Sequence, residues 1–297
     1  MTSKPLRDRI QRLKREYDTL RSGKGSLLVL LEEAEVAESV YNSNAIENST
    51  LTLKETEKIL LDLEVSRDVS VREVFEAKNL ARVMAFVREK VSDTELSKEL
   101  ILLLHEMLLT GINDHIAGRF RGSHEFVRVG SHVAPAPEHV ERMLEDILSK
   151  YASDHEVYDP DKIAHFHLGF ETVHPFNDGN GRIGRVIMNY QLKRLGYPPI
   201  IIRDKEKQLY YNAFLEYRDG PRHAKLMEKV LALALMESLH KRVAYLASAS
   251  ITTLSDFATQ SSRELITLSN AARRKTIPAF REKGVWKIRT DYQPDSE

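Results

Sequence analysis

Apolar positions recur at helical spacing along almost the whole chain. The pattern predicts helices over about residues 5–22, 25–42, 52–64, 71–91, 95–109 and 137–151, then Asp161–Val173, Arg182–Leu195, Asp204–Tyr217 and Arg222–Leu246. Thr52-x-x-Glu55, Ser70-x-x-Glu73 and Ser92-x-x-Glu95 have the spacing of capping boxes, in which a hydroxyl and a carboxylate each satisfy a free backbone N–H. The Arg182–Leu195 segment puts Ile183, Val186, Ile187, Tyr190 and Leu195 on one face, and Gly196 and Pro198 close it. Leu6, Ile10 and Leu13, set among basic residues, make the first helix an amphipathic packing helix. Two places depart from this rhythm. Phe126-Val127-Arg128-Val129, bounded by glycines and then prolines, predicts a small β-hairpin. The last fifty residues read as helix (Leu254–Ala258), turn, helix (Leu265–Lys275) and a β-wing turning at Glu282-Lys283-Gly284. No internal repeat and no strand–helix alternation occurs, and Gly-x-x-x-x-Gly-Lys-(Ser/Thr) is absent. The expected fold class is therefore all-α, a helical bundle with one hairpin and a small C-terminal module.

Composition narrows the setting. In 297 residues, 44 Lys and Arg balance 44 Asp and Glu, so the molecule as a whole is no polyanion binder. The absence of cysteine excludes a disulfide scaffold, cysteine catalysis and thiolate ligation. It fits a reducing compartment. The first ten residues are polar and amphipathic, without a signal-peptide pattern, and the runs Ser26–Leu31 and Leu100–Leu104 are too short to span a bilayer. A cytoplasmic protein without membrane contact is the expectation.

One segment concentrates the chemistry: His174-Pro175-Phe176-Asn177-Asp178-Gly179-Asn180-Gly181-Arg182-Ile183-Gly184-Arg185. Asp178-Gly-Asn-Gly is a turn leading into a helix N-terminus, whose unbonded N–H groups and dipole attract anions. The glycines permit close backbone approach and positive φ. Arg182 and Arg185, three residues apart, can face one anion with guanidinium forks suited to phosphate. Asp178 offers a hard oxygen for Mg²⁺, and His174 is the natural general base. Singly, a His beside a Pro, a glycine pair and two arginines are ordinary structural features; in this order they form a phosphoryl-transfer site. His165 and His167 add no zinc site, because residues two apart point to different helix faces.

At these residues the chain resembles the Fic family, whose signature is His-x-Phe-x-(Asp/Glu)-Gly-Asn-Gly-Arg-x-x-Arg, with every fixed position present. The resemblance covers about residues 25–245. It implies an adenylyltransferase that moves AMP from ATP to a Tyr, Thr or Ser hydroxyl of a target protein, and also onto itself. It assigns deprotonation of the hydroxyl to His174, the loop anchor to Phe176 and Mg²⁺ to Asp178. Phosphate oxygens fall to Gly179-Asn180-Gly181, the β-phosphate to Arg182 and the γ-phosphate to Arg185. Retention of Gly-Asn-Gly-Arg favours AMP over other transferred groups.

Ser43-Asn44-Ala45-Ile46-Glu47-Asn48 is similar to the family's inhibitory motif, (Ser/Thr)-x-x-x-Glu-(Gly/Asn), in the class that carries it N-terminally. By that resemblance Glu47, with Ser43, withdraws Arg185 from the γ-phosphate, and Asn48 suits a left-handed helix end. In some relatives the same glutamate serves AMP removal, which stays open here. The stretch 118–137 resembles the family's flap, an edge that aligns the target by strand addition through Phe126, Val127, Arg128 and Val129. The resemblance also places Tyr211 beside the adenine and Asn189 near the nucleotide.

The expected division is an N-terminal helical region over 1–95 with the motif at 43–48, a catalytic core over 96–247, and a module over 250–297. The last is similar to the winged-helix appendage of many bacterial Fic proteins and is locally basic. DNA binding through its second helix and protein docking or homodimer formation are equal readings of it. The alternative for the whole chain is a DNA-binding regulator whose core senses ATP. A scaffold with a dead site is a third reading, opposed by the intact His174, Asp178 and arginines.

Overall fold

Helix boundaries follow from local bonding. In the computed structural model, which describes residues 1–65, 67–91, 94–218, 220 and 223–293, helices dominate. They are α1 (Lys4–Leu20), α2 (Gly25–Ile46), α3 (Leu53–Leu60), α4 (Val71–Lys90), α5 (Lys98–Leu109), α6 (Pro137–Ser153), α7 (Asp159–Val173), α8 (Asn180–Arg194), α9 (Lys207–Arg218), α10 (Lys225–Leu246), α11 (Leu254–Gln260) and α12 (Leu265–Arg273). The Thr52–Glu55 capping box forms in full at the head of α3. Elsewhere the caps differ from expectation. Ser70 makes no side-chain cap bond, and Glu73 bonds Ser49 Oγ (3.0 Å) and the Thr50 N–H (2.6 Å), tying the chain after α2 to α4. Ser92 lies outside the described residues; α5 starts later, capped by Ser97 on the Leu100 N–H. Arg222, expected to open the long helix, also lies outside them, and α10 is described from Lys225. Asp204–Glu206 is a 3₁₀ turn ahead of α9 rather than its first turn.

Two differences bear on the site. α2 runs four residues beyond its expected end and carries the 43–48 motif as its last turn. Asn48 (φ 68) stops it, with Asn48 N–H on Ala45 O and Ser49 N–H on Asn44 O, both 3.0 Å, a left-handed cap. α8 begins at Asn180 because Gly179 (φ 81) is its N-cap.

The chain divides into two compact units. The first comprises Met1, Val36–Tyr197 and Ile201–Glu228. Its core brings together Leu80 and Val83 of α4, Leu104 and Leu108 of α5, Phe166 and Phe170 of α7, and Ile183, Val186, Ile187 and Tyr190 of α8, all buried. The β-hairpin of this unit is smaller than expected: β1 (Arg128–Val129) pairs antiparallel with β2 (His132–Val133) across Gly130-Ser131. Phe126 and Val127 precede the strand, although Ala134 N–H still reaches Val127 O at 3.0 Å. The ladder is short because the Glu125 and Pro135 carbonyls are spent on the Arg121 guanidinium.

The second unit comprises Thr2–Glu35, Pro198–Ile200 and Lys229–Glu297. Here β3 (Ile251–Thr253), β4 (Phe280–Glu282) and β5 (Val285–Arg289) form an antiparallel sheet in the order β3-β5-β4. Leu254, Phe257, Leu268, Ala272 and Ile288 are buried with it between α11, α12 and the sheet. β3 was not expected from the sequence, since Ile251-Thr-Thr is too short to show alternation. None of the described helices is long and apolar enough to cross a membrane.

Candidate active site

α7 ends where the chain turns left-handed. His174, its C-cap, has φ 48 and donates its N–H to Phe170 O at 2.9 Å. That conformation costs a non-glycine residue about 1–2 kcal/mol, so the surroundings must hold it. Arg121 does so. Its buried guanidinium donates to the carbonyls of His174 (2.8 Å), Val173 (3.3 Å), Glu125 (2.9 Å) and Pro135 (2.9 Å), and its own N–H to Pro175 O (3.0 Å). One arginine thereby joins the hairpin base to the loop after α7.

The loop then returns to the core. Phe176 is fully buried and stacks on His105 at 3.7 Å. His105 Nδ1 accepts from the Gly118 N–H (3.1 Å), which leaves the proton on Nε2 to donate to Asp178 O (3.0 Å). Burial pushes the His105 pKa down to about 4, so it is a neutral fixture at physiological pH. Asn180 clips the turn: Oδ1 accepts from the Phe176 N–H (2.9 Å) and Nδ2 donates to Phe176 O (2.8 Å). Its side chain is thus committed to the loop, and only its backbone is left to face an anion. At Gly179 a Cβ would meet Leu108 and Leu109 at 3.1 Å besides the positive φ. Gly179→Ala is expected to cost at least about 1–2 kcal/mol. A lower urea midpoint at unchanged m would show it, and an unchanged midpoint would contradict it.

The turn is ringed by charge. Asp178 pairs with Arg182 (3.1 Å) and Arg72, and its Oδ1 accepts from the Gly179 N–H (2.6 Å). Glu76 bonds Arg72 (3.0 Å) and Arg182 (3.2 Å), closing a ring of two acids and two arginines from α4 and α8. Burial pushes the Asp178 carboxyl up, but the Arg182 and Arg72 guanidinium charges outweigh it and hold the pKa below the ordinary value. Asp178 is therefore an ionised oxygen donor at neutral pH.

One turn along α8, Arg185 is buried against the end of α2. Nε donates to Ser43 Oγ (3.0 Å), and Nη2 to Ser43 O and to Glu47 Oε1, both 2.8 Å. Nη1 reaches Tyr210 Oη at 3.4 Å. Burial alone would lower the Arg185 pKa, but Glu47 and Tyr210 raise it above the usual value. A glutamate as the C-cap of a helix opposes the dipole; here Arg185 offsets that cost. The same carboxylate lies over Gly181, at the N-terminus of α8.

The structure therefore brings His174, Asp178, Gly179, Asn180, Gly181, Arg182 and Arg185 together with Ser43 and Glu47. Tyr211, about a third exposed, donates its hydroxyl to Ile46 O at the end of α2, and half-buried Asn189 is one turn beyond Arg185. The hairpin presents Phe126 (65 % exposed) and Val129 (46 %) to solvent. Sequence reasoning missed Arg121, His105, Glu171, Tyr210, Arg72 and Glu76. The first lies inside the stretch 118–137, and Glu171 precedes His174 by three; Arg72 and Glu76 carry no local signal.

The Fic/DOC family profile matches residues 95–192, which contain the whole signature in this geometry. This part of the chain is a Fic domain. The chain is similar to the protein adenylyltransferase Fic of Nematostella vectensis, at 34% identity over 193 residues, 62% of this chain and 43% of that protein. It is 30% identical to the one from Aedes aegypti over 218 residues, 71% of this chain and again 43% of the relative. The chain thus spans less than half the length of these curated relatives. Among solved structures, a Fic domain containing signaling protein from Bacteroides thetaiotaomicron superposes with TM-score 0.74 at 23% identity, covering 82% of this chain and 98% of that one. A Fic family protein from Desulfovibrio desulfuricans gives TM-score 0.67 at 21% identity, covering 99% and 98%. These two show that the fold is that of Fic proteins.

Proposed function

We propose that this chain is an autoinhibited protein adenylyltransferase that moves AMP from ATP to a Tyr, Thr or Ser hydroxyl of a target protein, and onto itself. The observation that carries the reading is Arg185, one of two signature arginines at the head of α8, held by Ser43 and by the Glu47 carboxylate. On this reading His174 takes the hydroxyl proton, the 179–181 turn and Arg182 hold phosphate oxygens, and catalysis comes from positioning and charge. Released from Glu47, Arg185 orients the γ-phosphate. Tyr211 and Asn189 border the nucleoside, and the edge at Phe126, Val127, Arg128 and Val129 aligns the target segment.

Mg²⁺ fits the residues present. It binds through one or two carboxylates plus substrate phosphates and keeps several waters, and Asp178 is one ionised carboxylate beside a phosphate-suited turn. Among the described residues no cluster of three or more His, Asp or Glu forms a separate cage. Bound there, the ion supplies charge neutralisation on the phosphates. Asp178 would hold it after exchanging its contact with Arg72.

The test is AMP incorporation from α-labelled ATP, in the cytoplasmic setting that the reading assumes, comparing wild type with Glu47→Gly and with Glu47→Gly carrying His174→Ala. Labelling in the first variant alone supports the base and the inhibitory contact together. Absence of label in all three, with ATP bound, removes the reading and favours an ATP-sensing regulator. Whether the same site removes AMP is read by incubating labelled protein without ATP.

The C-terminal part of the second unit is winged-helix-like on this proposal, with α12 as its second helix. Four of its eight basic residues are matched by acids: Lys275 and Arg281 by Glu237, Lys287 by Glu282 and Arg289 by Asp291. That favours docking of a protein, a second copy included, over DNA. On the DNA reading, Arg273 and Arg274 at the end of α12 would contact phosphates. Duplex affinity of the full chain would then fall steeply with salt, and each Ala substitution would reduce the log–log slope by about 1. Salt-insensitive affinity, or none, removes the DNA reading.

A further inference from the structure

The base has a buried acid beside it. Glu171, three residues before His174 on α7, has a side chain only 11% exposed, and its Oε2 lies 3.6 Å from His174 Nδ1. That is an ionic separation, longer than a hydrogen bond, of the kind that tightens in a substrate complex. A buried carboxylate is costly unless a cation or donor meets it. Burial pushes the Glu171 carboxyl up, yet the neighbouring His174, His167 and Arg185 side chains leave its pKa below the ordinary value.

The other side of Glu171 defines its environment. Arg185 Nη1 donates to Tyr210 Oη at 3.4 Å, and Tyr210 Oη lies 2.7 Å from His167 Nε2. A hydroxyl that accepts from arginine turns its proton to the imidazole, which places the His167 proton on Nδ1. Burial pushes the His167 pKa down to about 4, so it stays neutral at physiological pH. His167 Nδ1 and Glu171 Oε1 are both buried without a hydrogen-bond partner among the described residues. Both face Gly184 of α8: a Cβ there would stand 2.9 Å from the first and 2.7 Å from the second. The charged and titratable groups around Glu171 are thus His167 and His174 from α7, Arg185 from α8 and Tyr210 from α9; on the hairpin side, Arg121 grips the His174 carbonyl. Of these, His174 is the one that becomes a cation during transfer.

We propose that Glu171 is a positioning residue for the base. Its carboxylate accepts the Nδ1–H of His174, aims Nε2 at the acceptor hydroxyl, and stabilises the imidazolium formed in transfer. This deepens the adenylyltransferase reading and rests on it. In the step concerned the hydroxyl oxygen bonds to the α-phosphorus of the nucleoside triphosphate and the bond to pyrophosphate breaks. The hydroxyl proton passes to Nε2, while the Nδ1 proton stays directed at Glu171. The arrangement has the logic of an acid–imidazole pair in other nucleophile-activating sites, with the carboxylate reached within one turn of the same helix.

The experiment places Glu171→Gln in the Glu47→Gly parent and measures kcat, nucleotide affinity and, by NMR, which His174 ring nitrogen carries the proton. A glutamine amide can donate as well as accept, so it no longer fixes the proton on His174 Nδ1, and the Nδ1–H tautomer signature weakens. A fall in kcat of about 10- to 100-fold accompanies this, with nucleotide affinity unchanged. An unchanged tautomer signature, or a loss that only tracks melting temperature and nucleotide binding, overturns the proposal. If Glu171→Gln does not fold, Glu171→Asp withdraws the same charge by one methylene, and wild-type kcat in that variant overturns the proposal equally. A parent that transfers no AMP instead defeats the adenylyltransferase reading. The same NMR measurement on Glu171→Gln in the wild-type background then decides the Glu171–His174 contact by itself, and an unchanged Nδ1–H signature removes it.

Discussion

Glu47→Gly raises AMP incorporation by about 100-fold, because it returns Arg185 to the phosphate. In the resting structure Glu47 Oε1 and the Ser43 carbonyl share Arg185 Nη2 at 2.8 Å, and Ser43 Oγ takes Nε at 3.0 Å. Guanidinium donors act on a transferring phosphoryl group only when aimed at it before reaction. Glycine at 47 leaves Ser43 in place but removes the carboxylate from the contact, so a triphosphate competes for Nη2 without displacing an anion. The variant carries its own signature in stability. Stripping the carboxylate from a buried arginine costs about 1–3 kcal/mol, part of which is offset because a glutamate at a helix C-terminus opposes the dipole. Without nucleotide the variant therefore melts slightly below wild type, and ATP stabilises it more than it stabilises wild type. Equal thermal shifts from ATP in the two proteins would rule out the contact as the inhibitory element.

In that activated background, His174→Ala lowers transfer by about 10²- to 10⁴-fold, the usual contribution of a positioned general base. His174 also caps α7 with φ 48, and alanine tolerates that conformation poorly. His174→Asn separates the two roles, since asparagine adopts the left-handed region readily but cannot act as the base. Both variants should lose transfer, while only His174→Ala should lose stability, by about 1 kcal/mol. Retained transfer in His174→Asn, measured with α-labelled ATP, would take the base role from His174. Nucleotide affinity should hold in both, because the phosphate-facing groups at 178–185 are fixed by Phe176, Asn180 and His105.

The helices around the site were legible because helical burial leaves a period that any 15-residue window carries. The loop was legible because phosphate chemistry confines its residue types to a short span. Arg121 was not, although it lies in plain view in the hairpin stretch. Its four carbonyl acceptors come from residues 125, 135, 173 and 174, and carbonyls carry no side-chain identity to read. The hairpin was overestimated for the same reason: Phe126-Val-Arg-Val has strand propensity, but the carbonyls on either side were already taken. The extended end of α2 shows the opposite case. Asn48 marks a left-handed stop, yet the expected helix ends at about residue 42, and Asn42, Ser43 and Asn44 are indeed poor helix formers. Tertiary bonds from Arg185 and Asp204 to that turn override the propensity.

By itself the sequence determined the helical class, the presence of a histidine, an acid and two arginines around a glycine turn, and the residues at 43–48. These are local in the chain, and spacing alone expresses them. Only the tertiary structure decided that Glu47 meets Arg185 across 138 positions, that Arg72 and Glu76 enclose Asp178 and Arg182, and that Glu171 stands beside His174 within a buried polar chain reaching Tyr210. Each of those pairings depends on distance between elements rather than order along them. Ion pairs and hydrogen bonds reach only a few ångströms, so the packing of α2, α4, α7, α8 and α9 decides which of many charged side chains meet.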